Sequence, residues 1–427
     1  MNQKLTKLQS IPNSTIAVKD NELCFGKYTA AELLDKFGSP LYIYQENVLR
    51  DRCRKLIQMI HHDKVIVHYS AKANTNIALL KIIREEGLCA DAMSAGEIFS
   101  EEKAGFTPDK IFFVCNNIDE EEMMFAVKKG LKISVDSLSQ LEMFGRLNPG
   151  GKVAVRINPG FGKGHHEKVV TGGDKTKFGV YHSDVEKIKA IAAKYNLHIM
   201  GINMHIGSNF FEPEAYIEAV KVILGIARQF EELEFIDAGG GFGIGYKAEE
   251  ENLDVLALGD KLTSVLKDWM KEYGKEITFA MEPGRYVVCE SGIILTKVHS
   301  TKLNPGNPPR KFIGTDTGFN VLARPIMYDS YHEIINASNM NTEEKETVDI
   351  CGNICESGDL LARDRELAPT KEGDTLAILD AGAYGFTMSS NYNCRLKPAE
   401  VLITEDGDAK LIRERETLDD LLKHQIF

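Results

Sequence analysis

Residues 64–94 read KVIVHYSAKANTNIALLKIIREEGLCADAMS, and three local patterns account for almost all of it. KVIVHYS is a short β-branched and aromatic run of the kind that fills a buried strand. NIALLKIIREEG sets apolar residues at helical spacing and closes on glycine. CADAMS is a second short strand-like run. Strand, helix and strand within ~30 residues form the repeating unit of a parallel sheet.

The same alternation extends from about residue 40 to 285. Further strand candidates are IFFVCNN, KISVDS, KVAVRINP, IMGINMHIG, FIDAGG and ITFAMEP, with helical patterns such as EAYIEAVKVILGIARQFEE between them. Eight strands alternating with helices predict a closed (β/α)8 barrel, with a doubly wound open sheet as the structural alternative. After Arg285 the pattern changes. VVCESGIILTKV, RKFIGT, ETVDICG and DTLAILDAG follow one another without long helices, and EVLITEDGDAKLIRE reads as a hairpin turning at Asp406-Gly407. Residues 286–427 are therefore expected to form a separate β domain. Residues 1–39, with ELCFGKYTA, would add a strand or two to it.

A chain of 427 residues suits two domains, and 43% hydrophobic with 27% charged residues is ordinary soluble composition. The net charge of -12 would repel nucleic acid and anionic lipid, so any anionic ligand must be held by local positive groups. The start, MNQKLTKLQSIPNS, lacks the apolar core of a secretory signal, and no apolar run reaches the ~18 residues that would span a bilayer. The eight cysteines are scattered without CxxC spacing, which argues against zinc and for free thiols in a reducing compartment. The expectation is a cytoplasmic protein with no nucleic-acid, membrane or metal partner.

In barrel enzymes the active site lies at the C-terminal ends of the strands. Lys72 follows the first strand, Asp91 and Ser94 the second, and Asn116-Asn117 the third. His205 and Ser208 end the sixth, Gly239-Gly240-Gly241 the seventh, and Glu282 to Arg285 the eighth. Lys72 closes an apolar strand, where desolvation favours its neutral, nucleophilic form; alone it also reads as a lysine reaching out to water. GGGFGIG can bring backbone N–H groups up to an anion, or make a plain tight turn; its spacing is not GxGxxG. GFGKG at 160–164 contains no Walker pattern. His205 could stack on an aromatic cofactor or sit hydrogen-bonded in the core. EPGR at 282–285 pairs a carboxylate with a guanidinium fork suited to a phosphate or carboxylate. In CGNICESGD, Cys355 could return a proton to a carbanion or be a structural thiol.

YSAKAN, DAMSAGEI, VRINPG, TKFG, HIGSN, GGGFG, EPGR, ARPIMYDSYHEI, CESGD and GAYGFTMSSNYN occur in that order between residues 38 and 402. As an ordered set they resemble the fold-type III pyridoxal 5′-phosphate (PLP)-dependent decarboxylases, specifically the diaminopimelate decarboxylases. The resemblance implies a PLP-binding barrel with a C-terminal sandwich- or barrel-like β domain, as in alanine racemase and ornithine decarboxylase. It implies that Lys72 carries PLP, that His205 stacks on the ring and that Glu282 pairs with the pyridine nitrogen. Ser208, Gly240, Gly241 and Arg285 would surround the phosphate, with Arg285 also reaching substrate, and Pro283 and Gly284 would be among the cofactor-binding residues. Tyr384 would touch cofactor and substrate. Cys355 would be the proton donor, contributed with Glu356 by the partner subunit of a head-to-tail homodimer.

The resemblance also points to the substrate. Arg324 and Tyr328 stand where the diaminopimelate enzymes hold the far carboxylate, and Glu356 could read the distal ammonium. The implied reaction converts meso-diaminopimelate to L-lysine and CO2, the last step of lysine biosynthesis. Decarboxylases of basic amino acids or carboxylated polyamines are the near alternative, and a silent PLP-binding homologue is the distant one. Retention of Lys72 and Cys355 argues against silence. One departure stands out: the family's third-strand motif carries a lysine where this chain has Ile118, which is expected to tune activity, not abolish it.

Overall fold

The computed structural model describes residues 7, 8, 11–162 and 171–426. They divide into two compact units: 52–244 with 252–287, and the remainder of the chain, 1–51 with 245–251 and 288–427.

The first unit is the barrel. Its eight strands are Val65–Ser70, Cys89–Ala92, Ile111–Val114, Lys132–Val135, Lys152–Asn158, His198–Asn203, Phe235–Asp237 and Thr278–Met281. All neighbours are parallel, and pairing of the eighth with the first closes the ring. The eight strands expected from the sequence are these eight. Each of the next helices starts on a residue that suits it: Ser94, Asp119 and Ser137 accept the backbone N–H of Glu97, Glu122 and Gln140. Those side chains satisfy donors that a helix start leaves orphaned. Short apolar strands bury their side chains in the ring, where Phe112 meets Phe235 edge to face at 5.3 Å.

One buried group in this unit sets a pH dependence. Glu101, on the helix Ala95–Ala104, is fully buried, and neither of its carboxyl oxygens has a hydrogen-bond partner among the described residues. Burial first, then the neighbouring carboxyls of Asp91, Glu97 and Glu102, pushes it from 4.5 up to about 9. The folded chain thus keeps a proton that the unfolded chain loses above pH 4.5, so stability falls as pH rises from there through about 9. Glu101→Gln has no proton to lose. Its unfolding free energy is expected to pull ahead of wild type across that window, by on the order of a few kcal/mol at the alkaline end, which a melting series against pH would read. An offset that stays constant with pH would contradict this.

The second unit is built on a nine-stranded mixed sheet. The long strand Gly292–Asn304 pairs in its first half with Leu41–Gln45 and Thr375–Ile378, and in its second half with Arg310–Thr315. A register shift between Val298 and Ser300 marks the change of partner. The expected hairpin is present: Ala399–Ile403 pairs with Ala409–Arg413, with Gly407 at φ +80° in the turn. Ile16–Lys19, Glu22–Phe25 and Tyr28–Thr29 make a separate three-stranded sheet in the same unit. Leu23, Phe25, Leu41, Ile43, Ile293, Leu295 and Val401 share its core.

Two expectations need correction. The barrel does not occupy 40–285 as one piece, because Leu41–Gln45 is a fully buried strand of the other unit's sheet and 245–251 also belongs there. In VVCESGIILTKV, Arg285–Val288 forms a helical turn and the strand starts only at Gly292.

Candidate active site

The barrel strands deliver a polar set to their C-terminal ends. Lys72 sits in the single turn Ala71–Ala73 directly after the first strand, with Nζ 3.9 Å from Met93 Sδ. Beneath it, Ser70 donates to Asp91 at 2.5 Å. His205 follows the sixth strand, and its Nδ1 accepts the Gly240 N–H at 3.2 Å. That contact assigns any remaining ring proton to Nε2. Burial, then the Lys72 and Arg156 charges, holds His205 well below its ordinary range, so the ring is neutral.

Glu282 follows the eighth strand. It is buried, and its Oε1 has no hydrogen-bond partner among the described residues. Burial, with Asp237 and Asp91 close by, raises its carboxyl well above the usual range. Arg285 Nη2 donates to Ser208 Oγ at 3.1 Å, which brings a cation and a hydroxyl together.

The glycine run after the seventh strand is pressed against backbone. A Cβ on Gly240 would stand 2.1 Å from the Glu282 carbonyl oxygen, and one on Gly241 would stand 2.2 Å from that of Gly207. Gly241 also has φ +101°, a region that side chains avoid. Only glycine allows this approach, which leaves room for an anion against the main chain. Lys163 and Gly164 of the GFGKG loop lie outside the described residues.

The chemistry of this set suits PLP. An amine stands ready to hold it. Glu282 brings a buried carboxyl oxygen that lacks a donor, which a pyridine N–H would supply. Ser208, Arg285 and the glycine turn are a phosphate's natural partners.

The other unit carries the remaining candidates in two groups. Arg324 is 3% exposed and starts the short helix Arg324–Tyr328. Its guanidinium lies 5.6 Å from the Tyr328 ring and 5.7 Å from the Tyr384 ring, and Nη2 donates to Ser330 Oγ at 3.1 Å. Tyr384 adopts φ +57°. Cys355 and Glu356 form the second group, on an exposed loop. The Asp359 carboxylate shapes that loop by accepting the N–H groups of Phe319 at 2.7 Å and Ile354 at 2.8 Å. Tyr392 donates to Glu356 Oε1 at 2.6 Å, and Asn393 contacts Cys355.

Several of these residues escaped the sequence reading. Arg156 lies inside the fifth strand, 7% exposed, over the Phe178 ring at 4.5 Å and 3.6 Å from Asp136. Its signal was present, since a charge within the apolar run KVAVRIN needs a buried partner or a ligand. Burial outweighs the nearby Arg156 and raises Asp136 to about 6. Asp237 and His68, 3.4 Å apart and both buried, complete the polar layer below the rim.

A family model described as the pyridoxal binding domain of pyridoxal-dependent decarboxylases matches residues 47–289. Fold and rim thus define a pyridoxal-dependent decarboxylase, and PLP is its cofactor. The diaminopimelate decarboxylase of Methanothermobacter thermautotrophicus is 44% identical over 420 residues, 96% of this chain and 97% of that one. Its counterpart in Escherichia coli K12 is 34% identical over 409 residues, 92% and 95% of the two chains. The solved structure of diaminopimelate decarboxylase from M. jannaschii in co-complex with L-lysine is 33% identical. It superposes with a TM-score of 0.89 over 97% of this chain and 98% of that one. The chain belongs to the diaminopimelate decarboxylase family. No helix among the described residues is long and apolar enough to cross a membrane.

Proposed function

We propose that this chain decarboxylates meso-diaminopimelate to L-lysine and CO2, closing lysine biosynthesis in the cytoplasm. The observation that carries the substrate is Arg324: a buried guanidinium between two tyrosine rings is suited to a substrate's far carboxylate. Bound PLP supplies the electron sink for the pair left when the Cα–carboxylate bond breaks. Lys72 would hold the cofactor through its amine. His205, neutral, would offer its ring as a stacking face. Glu282 would pair with the pyridine nitrogen, its carboxyl turning anionic beside that cation. Ser208, Gly240, Gly241, the Pro283-Gly284 backbone and Arg285 hold the phosphate, and Tyr384 contacts both cofactor and substrate. Cys355 returns a proton to the carbon, and Glu356 reads the distal ammonium.

The working unit is a homodimer in which the partner subunit supplies the Cys355–Glu356 pair. Lys72→Ala, inactive, and Cys355→Ala, reduced to a small residual rate, should then regain activity on mixing, whereas self-contained sites would leave the mixture no better than its parts. The decisive assay is CO2 release by the PLP-loaded protein from meso-diaminopimelate, ornithine, arginine and carboxynorspermidine. Selective turnover of the first is expected, and preference for another would discard the substrate assignment. For Glu282→Gln, kcat should drop ~10²-fold with PLP still bound, as expected for losing a charge aimed at the reacting system. Undiminished kcat would remove Glu282 from the ring nitrogen.

A further inference from the structure

The segment around Asn393 grips the loop that carries Cys355. The Cys355 backbone N–H donates to Asn393 Oδ1 at 3.0 Å, and Asn393 Nδ2 donates to Cys355 Sγ at 3.2 Å. The pair of contacts fixes the amide's orientation. A backbone N–H only donates, so the amide oxygen must face it and the NH2 must face sulfur. Asn393 holds this pose from a left-handed backbone, φ +55° and ψ +25°, which asparagine tolerates better than most residues. The adjacent Tyr392 ring stacks on Phe319 at 5.6 Å while its hydroxyl holds Glu356.

We propose that Asn393 is a positioning residue for the Cys355 thiol, aiming its proton and stabilising the anion that proton transfer leaves behind. This rests on Cys355 being the proton donor. Because sulfur accepts from the amide, that contact does not use the S–H, which can point at the substrate carbon. In the transfer, the carbon takes the proton and forms a C–H bond with the electron pair left by the departed carboxylate. The S–H pair stays on sulfur as a thiolate, which then takes a proton from water. A hydrogen bond to an anionic acceptor is stronger than one to a neutral acceptor, so the Asn393 contact tightens along the step. The loop's shape does not rest on this bond alone, because Asp359 holds it from within through two backbone N–H groups.

Asn393→Asp and Asn393→Gly both keep a residue that accepts the left-handed turn while deleting the donor. The test is kcat and KM for both variants on meso-diaminopimelate, in wild-type and Cys355→Ala backgrounds. In the wild-type background kcat should fall about 10-fold or more, with Asp worse than Gly because its carboxylate repels the thiolate, and with KM nearly unchanged. In the Cys355→Ala background the same substitutions should cost nothing further. If Cys355→Ala itself keeps full kcat, the proton-donor reading fails and this proposal with it. If Cys355→Ala is damaging but the Asn393 variants keep kcat, or lose it equally in both backgrounds, only the proposal for Asn393 is overturned.

Discussion

Lys72→Ala is expected to remove both turnover and the visible absorbance of the bound cofactor. The loss in kcat should reach about 10⁴-fold or more, the scale on which removal of an essential nucleophile acts. Lys72 stands two residues beyond the first barrel strand, in the tight turn Ala71–Ala73, so its amine is delivered at the strand's end. Its charged neighbours cannot replace it. Arg156 and Arg285 are guanidines that stay protonated, and His205 has no primary amine. Lys72 lies at the strand end and not in the apolar interior of the ring, so its removal should leave the barrel folded. CO2 release and an absorbance spectrum on the same sample, with a melting curve alongside, check all three statements. Full activity in the variant would assign the nucleophile elsewhere.

The rim could be read from sequence because barrel strands advertise themselves locally. Each is a short apolar run ended by polar or glycine residues, and the closure rule then says where those ends gather. Lys72, His205, Gly240, Gly241, Glu282 and Arg285 all follow this logic. Leu41–Gln45 does not. LYIYQ is a plain strand in isolation, and its membership in the second unit depends on pairing with Gly292–Leu295 and Ala399–Ile403, far away in the chain. No local pattern encodes that choice. Arg285–Val288 was misread for a related reason: valine-rich sequence favours a strand, but the Gly284 carbonyl accepts the Val287 N–H and starts a helical turn. Asn393 closes the string GAYGFTMSSNYN, but its role was least legible, because it follows from a backbone angle and two contacts with a loop 38 residues away. The cofactor's handles are therefore written on strand ends, whereas the thiol's support is written in tertiary structure.

Arg324→Ala should cut kcat/KM for meso-diaminopimelate by ~10³-fold, equivalent to ~4 kcal/mol, the scale of losing one partner from a buried charge pair. The geometry explains why the loss should be large. The guanidinium is held between Tyr328 and Tyr384, away from water, and an incoming carboxylate there would meet a planar fork already fixed in place. Most of the effect should fall on KM, since the distal carboxylate is remote from the breaking bond and its binding changes little during reaction. Arg324→Lys should recover only part of it, because a point charge lacks the bidentate geometry. A melting curve guards against simple unfolding, since emptying a buried site also costs packing. The sharper readout is selectivity. D-lysine keeps the reacting centre but lacks the distal carboxylate, so its slow decarboxylation should hardly change, and the ratio of diaminopimelate to D-lysine turnover should collapse. An unchanged ratio would mean that the far carboxylate is held by another group, and that Arg324 serves only to order the Tyr328 and Tyr384 rings.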